Sequence, residues 1–496
     1  MRAVWCSGGA PLRCVPAALD SSGTRGPATI TQQAHIVERL RGGLSEPGLF
    51  RPRRLAALLG TALAYYAAAR LGLAFATVNG AVSPVWPPTG VAVALLLLGG
   101  RGLAPGVFLG ALCANLGAPD STLPSSLGIA LGNTLEPLAA SWLLGRARMD
   151  LRLGRTRDVL LFALFGAALP AMLSAGFGVT TLWLAGCLAA DLTPRALWVW
   201  WLGNTMGALL LAPALLQLAR LRSWPGRGPE TLAALGVTLV VGLVVFLRPH
   251  SGDTGLVPAF LLFPLCVWSA LRLGPEGAAH ANLLLGALCI GGTVQGLGPF
   301  GSQARTQDLL LLQLFLGVIA GTALLLAAAT RERQRAAGRF ALFATTVRSV
   351  REGVVISEVL PGGDGNLRIV FANEAFASLL GYGAEELVGR APRSLCGVPP
   401  DPQTRERLDR AQQEGSYLRV EVTLARKDGT LVPTEMQLSP VRDADGRHTH
   451  CVATHRDVSA LRQLQAKQLV SERIASMATL AAGVGHEINN ALAYLS

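Results

Sequence analysis

The chain has 496 residues, 51% of them hydrophobic and only 15% charged, and a formal net charge of +12 at pH 7. That length exceeds one domain, and the apolar excess excludes a single soluble core in favour of membrane-spanning segments. The positive charge does not indicate a nucleic-acid partner, because the basic residues form no stripe and fall in short clusters between apolar runs.

Residues 1–50 are rich in Gly, Ser, Thr and Pro and lack the basic start and apolar stretch of a signal peptide, so they read as a disordered N-terminal tail. Apolar stretches follow at 54–78, 84–100, 102–117, 126–145, 158–186, 197–219, 232–248, 257–273, 278–298 and 307–330. At roughly 20 residues per span they predict a polytopic α-helical membrane bundle over 51–330. The second and third stretches are short and broken by Gly and Pro, which leaves roughly eight to ten spans. Loop charges favour the larger number. Arg101, then Arg146, Arg148, Arg152, Arg155 and Arg157, then Arg220, Arg222 and Arg227, then Arg272, and finally Arg331, Arg333, Arg335 and Arg339 fall on one side. The other side carries chiefly Arg195, Arg248 and Arg305. By the positive-inside rule, the N-terminus and everything after residue 330 are cytoplasmic, as in a multi-pass protein of a bacterial inner membrane.

Ionisable groups inside a span are costly and usually functional. Glu136 lies well within its stretch and Arg70 about mid-way along the first, so a ligand site or a mutual ion pair between them is expected. The alternative is that both are polar contacts holding helices in register. Three motifs stand out in the same region: Ser83-Pro84-Val85-Trp86-Pro87-Pro88-Thr89-Gly90, Gly132-Asn133-Thr134-Leu135-Glu136, and Trp200-Trp201-Leu202-Gly203-Asn204 running on to Ala212-Pro213. On these motifs, 51–330 resembles the MASE-type membrane sensor domain of bacterial signalling proteins. The resemblance singles out Trp86 and Asn204 beside Glu136 and Arg70, with Asn204 standing where that family often has Asp.

After a helical linker at 331–344 the pattern changes. Alternating runs at 353–359 and 367–371 read as strands, and further strands are predicted at 418–426, 431–438 and 448–454, with a helix at about 402–413. Asn373-Glu374-Ala375-Phe376, Gly381-Tyr382, Glu386-Leu387-Val388-Gly389-Arg390, Arg426-Lys427-Asp428-Gly429-Thr430 and Arg456-Asp457-Val458 give 345–460 a resemblance to an α+β PAS domain. The resemblance leaves the PAS ligand unknown. In flavin-binding members, the reactive cysteine falls where this chain has Pro392, and the neighbouring Asn where it has Ala391, which speaks against flavin photochemistry. Residues 391–413 contain no histidine, which speaks against haem ligated from that helix. His448, His450, Cys451 and His455 form a candidate soft-metal cluster. An exposed or dimer-facing sheet edge explains them equally, and no metal is assigned. The eight cysteines include no Cys-x-x-Cys pair, so neither a zinc site nor a disulfide framework is indicated.

Residues 461–496 read as a linker helix followed by a coiled-coil dimerisation helix. Ile474, Met477, Ala481, Val484, Ile488, Ala491 and Leu495 alternate spacings of three and four. The apolar positions before them, Leu461 and Leu464, are out of phase, a break that lets a rotation or shear pass along the helix. Counting from Val484 puts His486 on the outward face. A zinc protease needs a second histidine four residues on, and that position is Asn490, so the zinc reading fails. The run His486-Glu487-Ile488-Asn489-Asn490 resembles the phosphoacceptor box of two-component sensor histidine kinases. The resemblance implies His486 as phosphoacceptor, Glu487 as base and Asn490 in dephosphorylation of the partner, with Ala491 where the family often has Pro.

The expectation is therefore a dimeric membrane sensor histidine kinase. ATP with Mg would be its substrate, through an ATP-binding domain that these residues do not contain, and a response-regulator receiver domain its partner. Membrane lipid surrounds it, and no nucleic acid is expected. The second helix of the dimerisation hairpin is also missing, so the chain alone is expected to be inactive. The alternative is a non-catalytic membrane and PAS receptor, or a sensor feeding a diguanylate cyclase.

Overall fold

The computed structural model describes residues 52–74, 85–118, 121–219, 228–249, 257–300, 305–360 and 367–493. The tail at 1–50, the opening Ser83-Pro84, the Arg220, Arg222 and Arg227 cluster and the turn at 361–366 lie outside them. Two units can be distinguished, residues 1–334 and 335–496, each described by itself.

The first unit is helical: α1 (Pro52–Ala74), α2 (Pro87–Gly99), α3 (Ala104–Leu116), α4 (Leu123–Arg146), α5 (Thr156–Leu184), α6 (Thr193–Leu218), α7 (Gly228–Phe246), α8 (Leu262–Val294) and α9 (Arg305–Ser349). Among the described residues, six helices are long and apolar enough to cross a membrane, and α2 and α3 are shorter apolar helices. One of the six, Ala259–Val294, breaks at Gly274 (φ 71°) before Pro275, so it covers two of the apolar stretches. Residues 162–168 make α5 locally a π-helix.

The Trp-Pro-Pro-Thr-Gly motif is where α2 begins. Two prolines in the first turn need no hydrogen-bond acceptor, since that turn has orphan N–H groups anyway. The Trp86 N–H donates to the Gly203 carbonyl of α6 at 2.9 Å, so the break in the chain leaves no bare donor there. The fit is tight. A Cβ at Gly207 would sit 2.0 Å from the Trp86 carbonyl oxygen, and one at Gly90 would sit 2.3 Å from that of Gly207. On α3, Gly106 and Gly110 let the helix approach the Leu58 and Ala62 carbonyls of α1 in the same way.

The second unit starts with the end of α9 and contains β1 (Gly353–Val359), β2 (Leu367–Ala372), α10 (Glu374–Leu380), α11 (Ala384–Leu387), α12 (Pro402–Glu414), β3 (Leu418–Ala425), β4 (Leu431–Arg442) and β5 (His448–Asp457). All pairings in the five-stranded sheet are antiparallel, and the order is β2-β1-β5-β4-β3. Asn373 caps α10 by accepting from the Phe376 N–H, and its amide donates to the carbonyls of Val347, Val350 and Glu352. That one side chain ties the end of α9 to the sheet. From Ser459 the chain runs into α13 (Ser459–Ala493), whose first N–H donates to the Asp457 carboxylate at 2.8 Å.

The histidine-bearing strand β5 lies in the middle of the sheet, between β1 and β4, which corrects the expectation of an edge. His455 is buried against Phe376, with ring centroids 4.9 Å apart. The Thr434 hydroxyl donates to the Val422 carbonyl at 3.1 Å, so it accepts from His455 Nδ1, 3.3 Å away. This fixes the neutral tautomer with Nδ1 protonated.

Burial pushes the His455 imidazole down to about 4. The unfolded chain takes up that proton near pH 6.5, so stability is complete above that value and is lost as pH falls from about 6.5 towards about 4. The loss is at most about 1.4 kcal/mol per pH unit. Hydrogen exchange of the β5 amides in the full chain is expected to show their opening free energy falling across that window. In His455→Leu this contribution disappears; an unchanged pH slope in the variant would contradict the assignment.

Candidate functional site

Three places carry the chemistry that the sequence singled out. In the helical unit, five helices meet at a buried polar cluster. Glu136 on α4 is 1% exposed, and its Oε2 accepts from the Asn204 amide of α6 at 2.8 Å and from the Thr89 hydroxyl of α2 at 3.4 Å. The same Asn204 amide donates to Ser174 Oγ on α5 at 3.0 Å, and that hydroxyl donates to Asn133 Oδ1 on α4 at 2.7 Å. Tyr65 of α1 is buried beside Trp86 and Asn133, with its hydroxyl unpaired. Glu136 Oε1 is also buried and unpaired. Because Thr89 lies in the first turn of α2, the carboxylate also faces a helix N-terminus, where negative charge is favoured. Pro137, next in the chain, brings no N–H to the Asn133 carbonyl and so leaves that acceptor without its helical donor.

The structure thus brings Glu136 to Asn204, with Trp86 as the residue that seats α2 on α6. It does not bring Arg70 to Glu136: Arg70 is exposed on α1, and no ion pair joins them. Thr89, Ser174 and Tyr65 were not singled out from the sequence. Of these, only Thr89 falls inside a quoted motif.

In the second unit, a cavity of about 600 Å³ lies between the sheet and α12. That volume is in the range of small-molecule sites. Val355, Ile369, Leu395, Val422, Leu424 and Met436 give it apolar walls. Ser357, Cys396, Cys451 and His455 also line it, and Arg393, Arg405, Asp409 and Gln412 stand where it opens. Arg393 is paired with Asp409; Arg405 is exposed and unpaired among the described residues. Burial raises both thiols, Cys451 to about 11, so neither is an activated thiolate. His448 Nε2 lies 3.1 Å from Cys451 Sγ, His450 contacts Thr449 and His455 is bound to Thr434. Among the described residues, no group of three His, Cys, Asp or Glu side chains is placed to hold a metal.

The third place is α13. Its backbone is helical through His486, Glu487 and Asn490, whose side chains lie outside the described residues. The part before them exposes apolar side chains in two phases, Leu461 and Leu464 first and the later repeat after them. Leu461, Leu464, Ile474, Met477 and Val484 are each more than half exposed, at 54%, 64%, 63%, 68% and 54%. Arg462 pairs with Glu421 and fastens the first turns of the helix to β3.

Comparison with known proteins bears on the first two places. The MASE1 family model matches residues 57–334 and a PAS domain model matches 352–460. The blue-light-activated histidine kinase of Brucella anthropi is 33% identical over 91 residues, 18% of this chain and 18% of its own. Blue-light-activated histidine kinase 1 of Erythrobacter litoralis is 28% identical over 135 residues, 27% of this chain and 37% of its own. The chain therefore spans between about a fifth and two fifths of the curated relatives described here. Among solved structures, a light-oxygen-voltage domain studied with a flavin analogue is 24% identical, with 26% of this chain and 96% of that one covered and a TM-score of 0.23. The corresponding domain of an Erythrobacter litoralis blue-light-activated kinase is 24% identical, with 22% and 96% covered and a TM-score of 0.20.

The blue-light-activated histidine kinases among these relatives overturn the reading against flavin photochemistry. Pro392 lines a cavity of ligand size between sheet and helix. The chain belongs to the MASE1 family of membrane sensor domains, and a PAS domain follows its membrane region.

Proposed function

We propose that this chain is the sensory and phosphoacceptor part of a sensor histidine kinase of a bacterial inner membrane, with its PAS domain on the cytoplasmic side. The observation that carries the proposal is α13. It leaves the central strand of the PAS sheet, displays an uncovered apolar stripe and bears the His486-Glu487 box about three turns beyond Ile474, where the in-phase repeat starts. Pairing of two such stripes makes the homodimer. Histidine kinases among the relatives of the PAS stretch support the same reading.

In this mechanism a lone pair of the His486 imidazole attacks the γ-phosphoryl group of ATP, in line with the departing ADP. Glu487 takes or orients the ring proton. ATP and Mg come from an ATP-binding domain outside these residues. The phosphoryl group then passes to an aspartate of a response-regulator receiver domain, and Asn490 serves the separate hydrolysis of that aspartyl phosphate, in which water takes the phosphoryl group and inorganic phosphate leaves.

Two inputs feed the helix. The cavity in the PAS domain suits a flat aromatic ligand with an anionic tail, the shape of a flavin. Its apolar walls would hold the rings, His455 Nε2 would offer an acceptor, and Arg405 would face the tail. A bound flavin supplies absorption of visible light. In the membrane, the Glu136 cluster joins α1, α2, α4, α5 and α6, and helix α9 continues without interruption from the membrane region to the Asn373 tie.

Incubation of the full chain with ATP and a complete kinase domain is expected to give an alkali-stable, acid-labile label. His486→Ala abolishes it, and Glu487→Gln slows it on the order of 10²-fold. Glu136→Gln changes the labelling level in intact membranes, and the exposed Arg70→Gln does not. Label that survives in His486→Ala removes the phosphoacceptor role and favours the non-catalytic receptor. Separately, the full chain purified from a flavin-producing host is expected to carry a yellow, fluorescent flavin released on denaturation. Colourless protein that takes up no added flavin would sink that part of the proposal.

A further inference from the structure

The membrane region has a second cavity, of about 450 Å³, away from the Glu136 cluster. It lies where the first turn of α1, the end of α2, the short turn Arg101–Leu103 and the end of α4 come together. Its walls are largely leucine (Leu96, Leu97, Leu103, Leu144 and Leu151), and two guanidinium groups, Arg54 and Arg101, face it. Among the described residues, no acidic side chain lines it. Arg101 donates to the Ser141 carbonyl near the end of α4 at 3.1 Å and has no carboxylate partner. Arg54 is half-buried and bonds to no other described side chain. Asp150, between the lining residues Met149 and Leu151, accepts from the Arg152 N–H at 3.0 Å.

The backbone beside the two arginines is bare. A Cβ at Gly100 or Gly102 would meet nothing within 4 Å, so a ligand group can come up against the peptide there. Arg101 is exposed and Arg54 half-buried, so both guanidinium groups stand at the mouth of an apolar wall, free to take an anion there. The anion must bring apolar surface of its own. The cavity also stands at the arginine-rich ends of apolar helices, the level of lipid headgroups, where basic pockets between helices hold anionic lipids.

We propose that this cavity binds the phosphate headgroup and the first part of one acyl chain of an anionic phospholipid, with Arg54 and Arg101 on the phosphate. The leucines account for a lipid rather than a free phosphate. Such a lipid joins α1, α2 and α4, three of the five helices that carry the Glu136 cluster, and it fixes how they are set against each other.

The test uses the full chain in neutral detergent micelles, titrated with phosphatidylglycerol, phosphatidylcholine or inorganic phosphate. Bound lipid is counted by native mass spectrometry, and the unfolding midpoint is followed in parallel. Phosphatidylglycerol is expected to bind and to raise the midpoint, phosphatidylcholine to bind at least tenfold more weakly, and inorganic phosphate not to compete. Arg54→Gln removes no bond within the protein and is expected to weaken phosphatidylglycerol about tenfold, about 1.4 kcal/mol. Arg70→Gln, on the same helix and far from the cavity, serves as the control for loss of one charge and leaves binding unchanged. Gly102→Phe, which fills open space, is expected to block binding without lowering the lipid-free midpoint. Equal binding by Arg54→Gln and the natural chain overturns the proposal. So does an equal loss in Arg70→Gln, or displacement of the lipid by inorganic phosphate.

Discussion

Hydrocarbon offers no hydrogen bonds, and that constraint shapes the membrane half of this protein. A chain that interrupts a helix there must give every freed donor a partner from another helix. At Trp86 the partner is the Gly203 carbonyl, and the contact is so close that glycine is required at both 90 and 207. One residue beyond Gly203, Asn204 then reaches Glu136, so the seam that closes the backbone break also builds the polar cluster. Thr89, directly after the two prolines, completes it from the other side. The break and the buried carboxylate are one feature, and either one alone would leave polar groups without partners.

The second unit relies on a similar economy. Asn373 caps a helix and at the same time holds three carbonyls around the end of α9. The strand that follows the cavity, β5, carries His455 into the core and continues within two residues into α13. A change in the cavity wall is therefore a change at the root of the helix that bears His486. The Arg462–Glu421 pair sits on the surface and contributes little stability, but it fixes the direction in which α13 leaves the sheet.

Much of this was legible in the sequence, and what was not shares a physical cause. Periodicity reports a residue's own element, so the ten apolar stretches, the five strands and the helix from Ser459 could all be read from spacing. The Trp-Pro-Pro-Thr-Gly run was visible as a motif, but the carbonyl it meets lies more than a hundred residues further on. Glu136 stood out by lying well within an apolar stretch, whereas the choice of Asn204 over Arg70 depends on helix packing across 68 residues, which leaves no periodic trace. The histidines of β5 were misplaced at an edge because strand order is a property of the sheet and not of the strand. The flavin test looked only at positions 391 and 392. The size of the cavity depends on walls drawn from β1 to α12, and single positions do not report it. The Arg54–Arg101 cavity left no signal either, since its two arginines belong to different short clusters.

The central claim is that a signal reaches His486 through a parallel pair of α13 helices. It is tested most directly by disulfide cross-linking in native membranes, with single cysteines placed from 470 to 484 in a chain whose own exposed cysteines are replaced. The account predicts strong cross-links at 474, 477 and 484 and weak ones at 473 and 479, in step with the apolar stripe. Cross-linking that is absent throughout, or that shows no such period, would contradict a paired helix and with it the route from sensor to phosphoacceptor.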